Sequence, residues 1–258
     1  MLRALQHRLL YFPAREMVAS PADYGFEYET VRVVTDDGIT LHGWWLPCPG
    51  ARATVLFFHG NAGNVSYWIE ATLCYRQRGW NVLLVDYRGY GLSEGSPSEE
   101  GTCLDARAAW NHLVLERHVD PSSIVVIGRS LGGAVAMSLV QTVHPGAVVL
   151  EATFTSVPDM VAHLLPLPGA RYLSAVQYPS LERVRHCHTS VMVAHSRDDE
   201  VVPYAHGCAL FEAAPGPKRF VELRGGHNEA FYLCRETYLA ALESFIDEQV
   251  VAPAQLHH

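Results

Sequence analysis

The chain reads as an α/β protein: a mostly parallel, doubly wound sheet of about eight strands with a small helical cap. Three features carry that reading. An antiparallel opening pair, Glu29–Thr35 and Ile39–Leu46, brackets the turn signal Asp36-Asp37-Gly38. Short apolar or β-branched runs then alternate with helical patterns, the rhythm of βαβ units. One segment, Phe154–Thr189, interrupts the alternation.

The later strand runs are Thr54–Phe58, Val82–Asp86, Ile124–Ile127, Val148–Leu150, Val191–His195 and Arg219–Leu223. Continuous apolar runs suit strands covered on both faces. Helices are predicted at Val65–Gln77, Cys103–Arg117, Leu131–Val143, Tyr204–Ala213 and Glu229–Val250. In the last of these, Phe231, Tyr238, Leu242, Phe245 and Ile246 approximate one apolar stripe. The interrupting segment combines Pro158, Pro166, Pro168 and Pro179 with Met160, Leu164, Leu165, Leu167 and Tyr172. A stretch of that length carries its own elements or a function, so it is expected to cap the strand ends. No repeat or low-complexity tract divides the chain. Residues 1–258 are therefore expected to form one domain, with the cap inserted at about 154–189.

A net charge of −8, with no Lys/Arg run, argues against a nucleic-acid partner. The six cysteines form no C-x-x-C pair, so neither a zinc site nor a disulfide framework is expected. Cys187 stands between His186 and His188, which reads as a polar loop entering a strand and not as a metal site. No run of about 18 apolar residues is present to span a membrane, and the N-terminus lacks a signal-peptide pattern. Leu2, Leu5, Leu9 and Leu10, interspersed with Arg3, His7 and Arg8, give residues 1–12 an amphipathic character suited to weak membrane-surface contact. The expected location is cytoplasmic, at most peripheral to a membrane.

The chemistry concentrates at Gly128-Arg129-Ser130-Leu131-Gly132, a G-x-S-x-G pattern between a strand and a helix. Small flanking residues let strand and helix approach, so that a nucleophilic serine stands proud of the sheet. A serine hydroxyl needs a base, with the acid and then the base following in chain order. Asp198 and Asp199 follow the Val191–His195 strand, and Glu151 follows Val148–Leu150. Strand periodicity does not choose among these three acids. His227, in Arg224-Gly225-Gly226-His227-Asn228, is the late histidine on a glycine-rich loop. Backbone N–H groups must also meet a developing oxyanion. Leu131, after the serine, and Asn61, in His59-Gly60-Asn61-Ala62-Gly63-Asn64, fit that need. His59 is expected to brace this loop and His195 the acid loop.

With these residues in place, the chain resembles the α/β-hydrolase superfamily over nearly its whole length. More narrowly, it is similar to the small, often membrane-anchored serine hydrolases that include protein depalmitoylases. The matching segments are Tyr11-Phe12-Pro13, Phe58 through Asn64, Asp86-Tyr87-Arg88-Gly89-Tyr90-Gly91, Gly128 through Gly133, Glu151 through Ser156, His195 through Pro203, and Gly226-His227-Asn228. Ala152 stands where that family often carries asparagine. The resemblance implies Ser130 as nucleophile, Asp199 as acid, His227 as base, and Asn61 and Leu131 as oxyanion donors. It implies the α/β-hydrolase fold and an acyl-enzyme mechanism with neither metal nor organic cofactor.

The expected activity is hydrolysis of small-molecule carboxylic esters with short to medium acyl chains. Phe154, Met160, Leu164 and Tyr172 of the cap are the expected substrate contacts, and the cap itself offers no cationic clamp. A thioesterase would share all of this chemistry. A hydrolase-fold ligand receptor would keep the same residues but show little turnover.

Overall fold

The computed structural model describes residues 10–252. Eight strands make one sheet: β1 (Glu29–Val34), β2 (Thr40–Leu46), β3 (Thr54–Phe58), β4 (Asn81–Val85), β5 (Ile124–Arg129), β6 (Ala147–Glu151), β7 (Ser190–Ser196) and β8 (Lys218–Leu223). Their spatial order is β8-β7-β6-β5-β3-β4-β2-β1. Only β2 runs antiparallel to its neighbours, β1 and β4, and all other pairings are parallel. This is the expected doubly wound sheet with its opening hairpin.

Side-chain alternation along a strand feeds two cores. Val55 and Phe57 of β3 pack on one face with Tyr75, Trp80, Tyr238, Leu242 and Phe245. Leu56 and Phe58 pack on the other with Val126, Ala134, Val135 and Trp110. Fully burying side chains of this kind contributes about 1.5–3 kcal/mol each, and the central strands do so on both faces.

The helices are α1 (Ile69–Gln77), α2 (Glu99–Asn111), α3 (Leu131–Leu139), α4 (Val157–Leu164), α5 (Ser180–Val184), α6 (Tyr204–Ala213), α7 (Ala230–Leu233) and α8 (Arg235–Ile246). Several of them depart from the sequence expectation, among them α3, which ends at Leu139 and not at Val143. Val65–Trp68 is a 3-10 turn ahead of α1. Helix α2 begins four residues earlier than expected, because the Ser98 hydroxyl accepts the Gly101 N–H at 3.0 Å and caps it. The long final helix breaks at Cys234 into α7 and α8.

The segment 154–189 holds α4, a 3-10 turn at Ala170–Leu173, and α5. Ser156 caps α4 by accepting the Asp159 N–H at 3.1 Å, and Pro158 sits in its first turn, where no backbone donor is needed. Of the amphipathic stretch expected at residues 1–12, residues 1–9 lie outside those described. Phe12–Pro13 adds a two-residue parallel pairing to Ala62–Gly63.

Immediately after β6, Ala152 adopts φ +47°, a left-handed conformation that a Cβ disfavours. Asparagine tolerates this region far better. Ala152→Asn is therefore expected to raise the thermal midpoint, by about 0.5–1 kcal/mol of stability. Ala152→Val should lower it. Thermal unfolding of both variants beside the wild type tests the strain.

Candidate active site

The strand ends gather four loops. The turn from β5 into α3 holds Ser130 at φ +53°, ψ −113°, outside the conformations a side chain prefers. Close approach enforces it. A Cβ on Gly132 would overlap the Phe58 carbonyl oxygen, and one on Gly128 would overlap the Gly132 carbonyl. The Ser130 N–H is anchored to the Glu151 carbonyl at 2.7 Å. Ser130 keeps 9% of its surface exposed and lines a cavity of about 530 Å³.

The loops after β7 and β8 interlock. His227 Nδ1 and Asp199 Oδ2 are 2.7 Å apart. The other Asp199 oxygen accepts the Val201 and Val202 N–H groups at 2.9 and 2.7 Å. Burial alone would raise the Asp199 carboxyl. The His227 hydrogen bond and charge, with the two amides, outweigh it and hold the carboxyl below its ordinary value. On either side, Asp198 accepts the Gly225 N–H at 3.0 Å and Glu200 accepts the His227 N–H at 2.9 Å. Three consecutive acids thus fasten the histidine loop, and only Asp199 meets the imidazole. Glu151 is elsewhere engaged: its carboxylate accepts the Tyr75 hydroxyl at 2.9 Å and the Tyr238 hydroxyl. His195 Nε2 donates to the Val202 carbonyl at 2.8 Å, and burial pushes its pKa down, so it braces the acid loop as a neutral ring.

The fourth loop follows β3. The Asn61 carbonyl accepts the Phe12 N–H at 2.9 Å and the Tyr90 hydroxyl at 2.8 Å. Its side-chain amide donates to the Leu10 carbonyl at 3.0 Å. Among the described residues, neither the Asn61 nor the Leu131 backbone N–H has a hydrogen-bond acceptor. Beneath the loop lies the fully buried Asp86. It accepts the Val65 N–H at 2.9 Å and stands 3.5 Å from His59 Nε2 and 3.4 Å from His42 Nδ1. Tyr87 reaches the His59 carbonyl at 2.8 Å. The Asp86–Gly91 motif thereby holds the Asn61 peptide in place.

The cavity beside Ser130 is apolar. Phe154, Met160, Leu164 and Asn61 line it. Tyr172 does not. The Ala170–Leu173 turn buries Ala170 and leaves Tyr172 85% exposed, so its assignment as a substrate contact is corrected. Sequence reasoning missed Val157 and Val161, although the spacing of 157, 160, 161 and 164 is a helical apolar stripe. It also missed Leu10, Phe12, Val176 and Val202, which come from distant segments with no periodic signal. The six cysteines are free, and among the described residues no cluster of metal-ligating side chains occurs. No described helix is long and apolar enough to cross a membrane.

A model of the alpha/beta hydrolase fold family matches residues 53–178. An uncharacterized protein of Mycobacterium tuberculosis is 39% identical, over 95% of this chain and 89% of its own length. The alpha/beta hydrolase domain-containing protein WAV2 of Arabidopsis thaliana is 34% identical, over 96% of this chain and 89% of its own. Among solved structures, an esterase of Pyrococcus furiosus superposes with a TM-score of 0.77 at 22% identity, covering 93% of this chain and 98% of that one.

Because the Asp199 carboxyl is held below the ordinary aspartate value, its ionised form stabilises the fold at and above that ordinary value. The contribution is lost as pH falls through the lower, folded value. Wild type is expected to exceed Asp199→Asn by about 1 kcal/mol near neutrality, after allowing for partial solvent screening. The gap should begin to narrow as pH falls below about 4, the ordinary aspartate value, and shrink further towards the lower folded value. Denaturant titrations at stepped pH check this, and a gap independent of pH would contradict it.

Proposed function

The chain belongs to the alpha/beta hydrolase family, and from that premise we propose that it is a serine esterase acting on short to medium acyl esters. The observation that carries the reading is the imidazole of His227, fixed by Asp199 at 2.7 Å, on a loop whose backbone is held by Arg129, the residue before a strained serine that opens onto an apolar cavity.

In this reading Ser130 Oγ attacks the acyl carbonyl while His227 Nε2 takes its proton. Asp199 holds the Nδ1–H tautomer and stabilises the imidazolium. The Asn61 and Leu131 N–H groups receive the oxyanion. Collapse of the tetrahedral species expels the alcohol, which takes the proton from His227. Water, activated by the same base, then releases the acid. The acyl chain lies along Phe154, Val157, Met160, Val161 and Leu164, which offer apolar surface and no charge.

Ser130→Ala is expected to abolish both turnover and labelling by a fluorophosphonate. Asp199→Asn should cost about three to four orders of magnitude in kcat, while Asp198→Asn, which leaves the imidazole contact intact, should cost less than about tenfold. Burying one methylene gives about 0.8 kcal/mol, so kcat/KM should rise up to about fourfold per carbon along a 4-nitrophenyl ester series until the cavity is full. Met160→Trp should move the optimum to shorter chains. No hydrolysis across the series despite stoichiometric labelling of Ser130 would instead favour a binding role.

A further inference from the structure

Arg129, the residue between Gly128 and Ser130, is an unexplained charge. It is only 4% exposed, and among the described residues it has no carboxylate within 4.0 Å. Its Nη2 donates to the His227 and Asn228 carbonyls at 3.0 and 3.3 Å. The guanidinium also lies 5.2 Å from the Trp68 ring centroid. Its other nitrogens donate to no described residue. The buried carboxylate opposite it on β6, Glu151, is taken up by the Tyr75 and Tyr238 hydroxyls and makes no ion pair with it, and a buried cation left without a direct partner is costly.

Arg129 lines a second cavity, of about 390 Å³, with Ala14, Ala62, Gly63, Tyr67, Trp68, Asn228 and Tyr232. This cavity shares no lining residue with the apolar one. Its walls include a chain neighbour of three site residues: Ala62 follows Asn61, Arg129 precedes Ser130, and Asn228 follows His227. A second cation stands against Tyr232. Arg235 sits 5.5 Å from the Tyr232 ring, has no described carboxylate partner, and leaves its buried Nε without an acceptor. Glu70 is the acid whose field reaches Tyr232, and two unpaired guanidinium groups oppose it.

We propose that this cavity receives the alcohol half of the substrate and that Arg129 pairs there with an anionic group carried on it, a carboxylate or a phosphate. The inference rests on the esterase reading above for the word alcohol, but not for the anion. A guanidinium suits either group, because its forked donors match two oxygens at once. The aromatic walls of Tyr67, Trp68 and Tyr232 favour a flat or apolar spacer between ester and anion. The substrate would then be divided: acyl chain in the uncharged cavity, charged alcohol in this one.

The test begins with binding, so that it does not depend on turnover. Ser130→Ala protein is titrated by calorimetry with benzoate, phenyl phosphate and neutral benzyl alcohol. Either anion should bind at least tenfold tighter than the alcohol, and the preferred one tells carboxylate from phosphate. Tyr232→Glu, at a half-exposed wall position, should weaken the anion at least tenfold and benzyl alcohol far less, so that the selectivity between them falls. In wild type, kcat/KM should be higher for a 3-carboxyphenyl ester than for the phenyl ester of the same acid. Arg129→Met should lower both rates and reverse that ratio. Anion binding no tighter than benzyl alcohol, or unaffected by Tyr232→Glu, overturns the proposal even if esters are hydrolysed. Selective anion binding without hydrolysis of any ester overturns the esterase reading and leaves the anion site standing.

Discussion

The turn at Ser130 is the constraint on which the rest of the site depends. A serine at φ +53° is held against its conformational preference, and strain of this kind persists only where the surroundings over-determine it. They do so from three sides. The Phe58 carbonyl end of β3 presses on Gly132, the Glu151 carbonyl takes the Ser130 N–H, and β5 is buried along its whole length. Glu151 is in turn gripped by the hydroxyls of Tyr75 from α1 and Tyr238 from α8. The elbow is therefore tied through β6 to helices that line neither the apolar cavity nor the Arg129 cavity.

The same economy governs the charges. Burying the Asp199 carboxylate is unfavourable by itself, and the loop answers with two backbone amides and one imidazole. Flanking acids use the neighbouring loop's amides in the same way. The imidazole thus has its ring position, its backbone and its Nδ1 proton fixed before any substrate arrives, which is the condition for electrostatic stabilisation without reorganisation.

Most of the sheet was legible because its signals are local. Burial on both faces writes a continuous apolar run along the central strands, whereas the edge strands β1 and β8 mix buried and exposed positions. The serine, histidine and oxyanion loops were legible for a related reason: strand–turn–helix chemistry demands particular small residues at particular spacings. What escaped is long-range. The pairing of Phe12–Pro13 with Ala62–Gly63 joins residues some fifty positions apart over two residues, too few to show a period. Tyr172 illustrates the opposite error. Aromatic character suggested a contact, but the direction of a side chain on a short 3-10 turn is set by which neighbour buries, here Ala170. Choosing Asp199 over Asp198 needed the family resemblance, since alternation places two adjacent carboxylates on opposite sides without saying which side holds the histidine.

Asp86 shows why the motif after β4 belongs to the site although no part of it need touch substrate. The backbone N–H of Asn61 can serve an oxyanion only if the rest of that peptide is immobile. Its carbonyl is fixed by Tyr90 and Phe12, its loop's far end by the Asp86 bond to Val65, and its near end by Tyr87 at His59. Asp86 itself is buried, which would raise its carboxyl. The His42 and His59 contacts and the Val65 amide reverse this and keep it ionised. A loop held by hydrogen bonds from three elements leaves one donor free by construction. That free donor lies on a loop whose Asn61 lines the apolar cavity and whose Ala62 lines the Arg129 cavity, which is where the proposed esterase would receive the carbonyl between the two halves of its substrate.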